Sequence, residues 1–455
     1  MRLAQSKVHF IGIGGGGMSG LAELLHNMGA DVTGSDPAEN ALTHRLEGMG
    51  IPIYKEQAAE NIHGVDVVVY SSAVRPTNPE YSEALKLKIP LIRRAEALAE
   101  LMRLKRGIAV AGTHGKTTTT SLVSSILWER GMDPTIVVGG RLEWIQSTAQ
   151  LGKGEWLVAE ADESDGSFNR LSPEIVVITN IDGDHLDHYG SFENLQKAFV
   201  EFASRIPFYG SVILCGDDPK TVQLFSNFGK RVLTYGFSDS NAYCLSRTET
   251  KGLWTVQGPS DESFQFQAPM PGEHNALNAL AAILASHQSG LTMEACADSV
   301  SQFKGVDRRF QHKAKVRGVD FYDDYGHHPT EVKAVLKGIK DQFPDRRIVT
   351  FFQPHRYSRT QICWKEFLTS FENTDVLYLL NVYPAGEEPL EGVTSENFLK
   401  ELKHSQASLF LKEGDAVSQV TSNFEEGDVV LTLGAGDVYK LNVELAERYL
   451  KLGKL

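Results

Sequence analysis

Gly107-Ile-Ala-Val-Ala-Gly112-Thr-His-Gly-Lys116-Thr-Thr118 joins a short apolar run to a glycine turn and then to a segment of helical period, Thr117–Arg130. The run is too short for a helix and reads as a strand buried on both faces. A lysine and a threonine where such a turn enters a helix are the parts of a phosphate cradle. Backbone N–H groups surround the β-phosphate, Lys116 reaches the β- and γ-phosphates, and the Thr117 hydroxyl faces Mg²⁺. The strict pattern would place its first glycine at Val110, so the loop here is a shorter one that starts at Gly112.

Two other segments repeat the strand–turn–helix order. Lys7-Val-His-Phe-Ile-Gly-Ile-Gly14 precedes a helical pattern over Met18–Met28, and Arg347-Ile-Val-Thr-Phe-Phe352 precedes one over Gln361–Phe371. Strands alternating with helices predict parallel sheets covered on both faces. Val65–Tyr70, Trp156–Ala159, Ile175–Thr179, Val376–Leu380 and Val429–Leu433 are expected as further strands and Leu277–Leu284 as an apolar helix, with the run Val319–Asp324 following the second boundary. The alternation at Phe264 and Phe266 predicts antiparallel pairing within Tyr243–Pro271.

The first turn, Gly12-Ile-Gly14-Gly15-Gly16-Gly17, fits G-x-G-x-x-G, and Asp36 lies 19 residues beyond Gly17, where a ribose-binding acid belongs. Read alone, it says nicotinamide dehydrogenase. Such a reading leaves Gly112–Thr117 idle, and a nucleotide-driven switch would leave the first turn idle. Acidic help for a magnesium nucleotide is expected from strand ends, at Glu160 in Glu160-Ala-Asp-Glu-Ser-Asp165 and at His185 in Asp182-Gly-Asp-His185. The asparagines of Pro271-Gly-Glu-His-Asn275-Ala-Leu-Asn278 read as N-caps or as adenine contacts. Asp307-Arg-Arg-Phe310 offers arginines to phosphates, and Asp323-Asp-Tyr-Gly-His-His-Pro329 is a loop dense in titratable groups. In Phe352-Gln-Pro-His355-Arg356-Tyr-Ser-Arg359-Thr360, two arginines three apart suit a carboxylate or phosphate.

Composition bounds the rest. The 455 residues are 42% hydrophobic and 23% charged, an ordinary globular balance that excludes a disordered or fibrous chain. A formal charge of -13 makes nucleic acid an unexpected partner. No window approaches the ~20 apolar residues of a membrane span. Cys215, Cys244, Cys296 and Cys363 form no C-x-x-C pair and read as reduced thiols, so a cytoplasmic protein is expected. Boundaries are placed after 104 and after 310, giving domains 1–104, 105–310 and 311–455.

Taken together, these segments resemble the Mur ligase family of bacterial cell-wall synthesis. The likeness runs from Gly12 to Gly436, in the family's order, and rests most on Gly112–Thr117, Glu160–Asp165, Asp323–Pro329 and Phe352–Thr360. It implies an α/β chain of three domains on mainly parallel sheets: a Rossmann-like UDP-sugar domain, a central P-loop ATPase and a C-terminal Rossmann-like amino-acid domain. His114 marks the branch that adds L-alanine to UDP-N-acetylmuramate, where sister branches carry Asn or Ser. A cell-wall recycling branch that attaches a ready-made tripeptide is the nearest rival, and its first glycine loop departs from the pattern kept at Gly14–Gly20.

The resemblance also distributes roles. Gly14, Gly15, Gly16, Gly17, Met18, Ser19, Asp36, Ser71, Ser72 and Arg75 would hold the UDP-sugar. Gly112, Thr113, His114, Gly115, Lys116, Thr117, Thr118, Asn275, Arg309 and Asp324 would bind ATP. Thr117, Glu160 and His185 would hold Mg²⁺. Tyr325, His355, Arg356 and Arg359 would surround the alanine and the sugar's carboxylate, with Lys116, His185 and His355 the catalytic set. Lys197 stands out of register for the carbamylated lysine of other branches. A monomer or weak homodimer is expected.

Overall fold

A computed structural model of the chain describes residues 5–71, 73–412 and 414–452. Three sheets carry the fold and fall in two compact units. One unit runs up to Pro269 and takes in Leu277–Lys304; the other holds Met270–Ala276 and the chain from Gly305 onward.

In the first unit, a five-stranded sheet is parallel throughout. Its centre is β1 (Lys7–Ile11), flanked by β2 (Asp31–Ser35) and β3 (Val67–Tyr70), and α1 (Gly16–Asn27) connects β1 to β2. Val8 and Phe10 are buried on β1 in one core with Leu21, Leu24 and Leu25 of α1, while Ile11 packs on the other face with Ile62, Val68 and Ala84. The strand order reverses at β1, which opens a crevice beyond the carboxyl ends of β1 and β3. Gly12–Gly17 and Ser71 sit there.

The second sheet of this unit has ten strands. At its heart β4 (Arg106–Ala111) runs parallel to β5 (Trp156–Glu160) on one side and β6 (Ile175–Ile178) on the other, and α2 (Lys116–Glu129) follows the turn after β4. Its far edge is the antiparallel set Tyr243–Arg247, Leu253–Gln257 and Ser263–Gln267, with Phe264 and Phe266 buried as their alternation requires. The first turns of α2 are a threonine run, a poor helix former. The helix holds because Thr117–Ser125 are buried, and because Thr120, Ser121 and Ser124 donate their hydroxyls to carbonyls one turn back at 2.6–2.8 Å.

The second unit has a six-stranded sheet in the order Gln311–Val316, β7 (Val319–Asp324), β10 (Val429–Leu433), β8 (Ile348–Phe352), β9 (Val376–Leu379) and Ala407–Leu409. Only Gln311–Val316 runs antiparallel to its neighbour. The helices α3 (Pro329–Gln342) and α4 (Tyr357–Ile362) leave the carboxyl ends of β7 and β8. The expected α/β class on mainly parallel sheets is what the chain adopts. One expectation fails locally. The predicted helix over Gln361–Phe371 is two short helices, α4 and Trp364–Phe367, separated at Cys363 (φ -96°, ψ 17°). The first starts early because Arg356 turns the chain and Glu387, far along in sequence, accepts from the backbone N–H of Ser358. Among the described residues, no helix is long and apolar enough to cross a membrane.

Candidate functional site

The turn between β4 and α2 leaves no room for a side chain at its two glycines. Gly112 (φ +132°) and Gly115 (φ +82°) take left-handed backbone, and a Cβ on Gly112 would stand 2.0 Å from Thr179 Oγ1. The neighbouring strand end clamps the loop. Thr113 donates its N–H to the Asn180 carbonyl at 3.1 Å, His114 N–H goes to Asn180 Oδ1 at 2.9 Å, and Asn180 Nδ2 returns to the His114 carbonyl. Behind it, Thr119 donates to Asn278 Oδ1, which would lie 2.5 Å from a Cβ on Gly115. Asn278 thus packs beneath the loop.

Lys116 sits at the first position of α2, its Nζ donating to the carbonyls of Gly112 (2.6 Å) and Thr113 (3.2 Å) and to Glu163 Oε1 (2.8 Å). Burial works against the ammonium, but Glu163, Asp162 and Glu160 outweigh it and hold its pKa above the ordinary value. Burial pushes Glu163 up to about 7 against the pull of Lys116. The sequence left Glu163 undistinguished among four acids. Its signal was position: at the end of β5, one residue of the run must turn inward toward the loop after β4.

A cavity of about 320 Å³ joins the two sheets of this unit. Gly15, Gly16, Gly17, Met18 and Ser71 line it from one side, and Glu160, Asp162, Ser164 and Asp165 from the other. Arg93 and Arg94, which sequence reading missed, also line it. Arg93 ends the parallel strand Leu91–Arg93 and Arg94 opens the helix that follows, and that strand-to-helix position was the available signal. Arg94 reaches Asp162 at 3.7 Å and lies so near Gly17 that a Cβ there would meet Nη1 at 2.9 Å.

Other residues expected to hold the sugar do not line the cavity. Gly14 is buried and donates its N–H to Asp36 Oδ2 at 2.8 Å, while Asp36 Oδ1 accepts from Ala38. The Asp36 carboxylate therefore braces the glycine loop. Ser19 donates to the Gly16 carbonyl, Arg75 is exposed, and Ser72 lies outside the described residues.

Thr117, Glu160 and His185 all belong to this unit, at the start of α2, at the end of β5, and ahead of the Leu186–Tyr189 turn. Glu160 Oε2 accepts the Gly139 N–H at 2.8 Å, and a Cβ on Gly139 would crowd that carboxylate at 2.7 Å. A hydroxyl and a carboxylate with one imidazole fit a hard divalent cation that completes its shell with phosphate and water. Lys197 is exposed.

The remaining predicted residues belong to the other unit. Asn275 donates to the Pro271 carbonyl at 2.7 Å. Asp324 is buried and accepts from the N–H groups of Gly326 and Phe310, both at 2.7 Å; desolvation lifts its pKa to about 6 although Arg309 pulls it down. Tyr325 carries Arg308 and Arg309 over its ring at 5.0 and 5.1 Å. His355 stacks on Tyr383 at 5.5 Å and lies 3.5 Å from Arg359 Nη1. Burial, then Arg359 and Arg356, push His355 down to about 4, so its ring is neutral and a feeble proton acceptor.

Three family profiles match the chain: "Mur ligase family, catalytic domain" over residues 7–106, "Mur ligase middle domain" over 110–286, and "Mur ligase, glutamate ligase domain" over 308–436. A UDP-N-acetylmuramate–L-alanine ligase of Bdellovibrio bacteriovorus is 55% identical over 98% of this chain and 99% of its own length. The enzyme of the same name from Myxococcus xanthus is 48% identical over 97% and 95%. Among solved structures, a UDP-N-acetylmuramate–alanine ligase of Thermotoga maritima superposes with a TM-score of 0.81 at 30% identity, covering 98% of this chain and all of that one.

Proposed function

Because this chain belongs to the Mur ligase family, we propose that it joins L-alanine to the lactyl carboxylate of UDP-N-acetylmuramate at the expense of ATP, in peptidoglycan precursor synthesis. The observation that carries the reaction is the shared cavity. It brings the diphosphate-type loop Gly15–Gly17 and the acidic strand end Glu160–Asp165 to one space, with Lys116 behind Glu163. A UDP-sugar seated on the first loop then presents its carboxylate toward the γ-phosphate of a nucleotide on the second.

The lactyl carboxylate attacks the γ-phosphorus in line, and the bond to the bridging oxygen of ADP breaks. The resulting acyl phosphate is attacked at its carbonyl carbon by the free amine of L-alanine. The tetrahedral adduct collapses as phosphate leaves with the carboxylate oxygen it had bonded, and the proton shed by the nitrogen goes to the departing phosphate. Lys116 leaves Glu163 for the phosphates and stabilises the charge on the transferring group. Thr117, Glu160 and His185 would hold Mg²⁺, which when bound offsets charge on the β- and γ-phosphates. Arg356 and Arg359 hold carboxylate, and the neutral His355 accepts a hydrogen bond from the incoming amine. The reaction is placed in the cytoplasm, in keeping with four free cysteines.

Phosphate release from ATP, measured with UDP-N-acetylmuramate plus L-alanine, plus a tripeptide, or alone, tests this reading. Turnover only with free alanine is expected. Turnover only with tripeptide would move the chain to the recycling reaction, and turnover indifferent to both would refute ligation.

A further inference from the structure

The carboxyl ends of β8 and β9 share a carboxylate that the reaction scheme does not use. The segment Tyr383-Pro-Ala-Gly-Glu387 follows β9, and its tight turn (Ala385 φ +49°, Gly386 φ +86°) delivers Glu387 to the start of α4. There Glu387 Oε1 accepts from Arg356 Nε at 2.6 Å and from the Ser358 hydroxyl at 2.6 Å, while Oε2 accepts the Ser358 N–H at 3.0 Å. Against the desolvation that would raise it, these bonds and the guanidinium hold the Glu387 carboxyl below the usual range.

The backbone of Arg356 explains why such a latch is needed. Arg356 has φ +70° and ψ +133°, a conformation unfavourable for any residue with a Cβ, and such strain persists only where the surroundings over-determine it. They do so here. Arg356 N–H donates to the Tyr383 carbonyl and Tyr383 N–H to the Pro354 carbonyl, both at 2.8 Å, and the His355 ring stacks on Tyr383. The Glu387 bond uses Nε, so the two terminal nitrogens of Arg356, which make no hydrogen bond to the described residues, are left for a ligand. A guanidinium held at Nε presents that edge in one orientation, the requirement for a bidentate grip on a carboxylate.

We propose that Glu387 is the positioning residue of the amino-acid site: it holds Arg356 in its strained conformation so that the terminal nitrogens meet the carboxylate of the incoming amino acid. This rests on the ligase reading above and adds to it the group that orients the second substrate.

The test is a double-mutant cycle on the full chain with Glu387→Gln, Arg356→Ala and the pair, with Glu387→Asp as the conservative variant. KM for L-alanine, KM for ATP, kcat and Tm are measured for each. Glu387→Gln is expected to raise KM for L-alanine roughly 10-fold, the scale of one charge-assisted hydrogen bond, with KM for ATP unchanged. Glu387→Asp should recover part of that loss, and Glu387→Gln should add nothing to Arg356→Ala. An unchanged KM for L-alanine, additive effects in the cycle, or a fall in Tm with kinetics intact would overturn the inference. Wild-type turnover without alanine dependence would instead overturn the ligase reading.

Discussion

Lys116 and Glu163 show how much one side chain's setting adds to its identity. The ammonium is gripped by two carbonyls and a buried carboxylate, so it is already oriented, and in the proposed reaction the phosphates need only take the place of Glu163. Lys116→Ala should lower kcat by at least ~10²-fold, the scale lost with one preorganised donor, and steady-state kinetics of a folded variant checks it. A near-normal kcat would remove the phosphate loop from the mechanism. Lys116 was legible in the sequence because strand, glycine turn and helix surround it. Glu163 was not, since nothing in Glu160-Ala-Asp-Glu-Ser-Asp165 says which acid turns inward and which, like Asp162, faces Arg94.

At the scale of elements, the loop after β4 works because the end of β6 lies against it. Gly112→Ala would drive a Cβ onto Thr179 Oγ1 in a conformation that already disfavours it. The variant should lose about 1–3 kcal/mol of stability, the usual cost of overpacking, and bind ATP more weakly; thermal unfolding and nucleotide titration report the two effects. The strand range Val429–Leu433 was readable to the residue, because a strand buried on both faces is a near-continuous apolar run between polar ends. The helix after β8 was not. Its start depends on Glu387, some thirty residues away, and local periodicity carries no trace of that contact. Spacing likewise carries no trace of the bond by which Asp36, placed for a ribose, accepts the Gly14 N–H.

The whole molecule carries its titrating load unevenly. In the second unit burial depresses three imidazoles, His274 to about 4, His327 to about 3 and His355 to about 4, each from an ordinary 6.5. As pH falls from 6.5 toward 4 the unfolded chain binds these protons and the native unit does not, so stability falls with acidification. Asp324, raised to about 6 by desolvation, and Asp323, raised by the same cause, work in the opposite sense, two groups against three in this unit. Glu163, raised to about 7, opposes this trend only in the first unit. The second unit's unfolding should therefore move to lower temperature from pH 7 to pH 5, and His327→Gln should flatten that slope; a flat profile for the second unit of the unaltered protein would contradict the burial of these rings. The proposed ligation passes a carboxylate oxygen of the sugar to phosphate through an acyl phosphate. UDP-N-acetylmuramate labelled with heavy oxygen in its lactyl carboxylate tests it most directly, in the presence of ATP and L-alanine. Phosphate carrying one labelled oxygen for each alanine joined is the result predicted, and ligated product accompanied by unlabelled phosphate would contradict it.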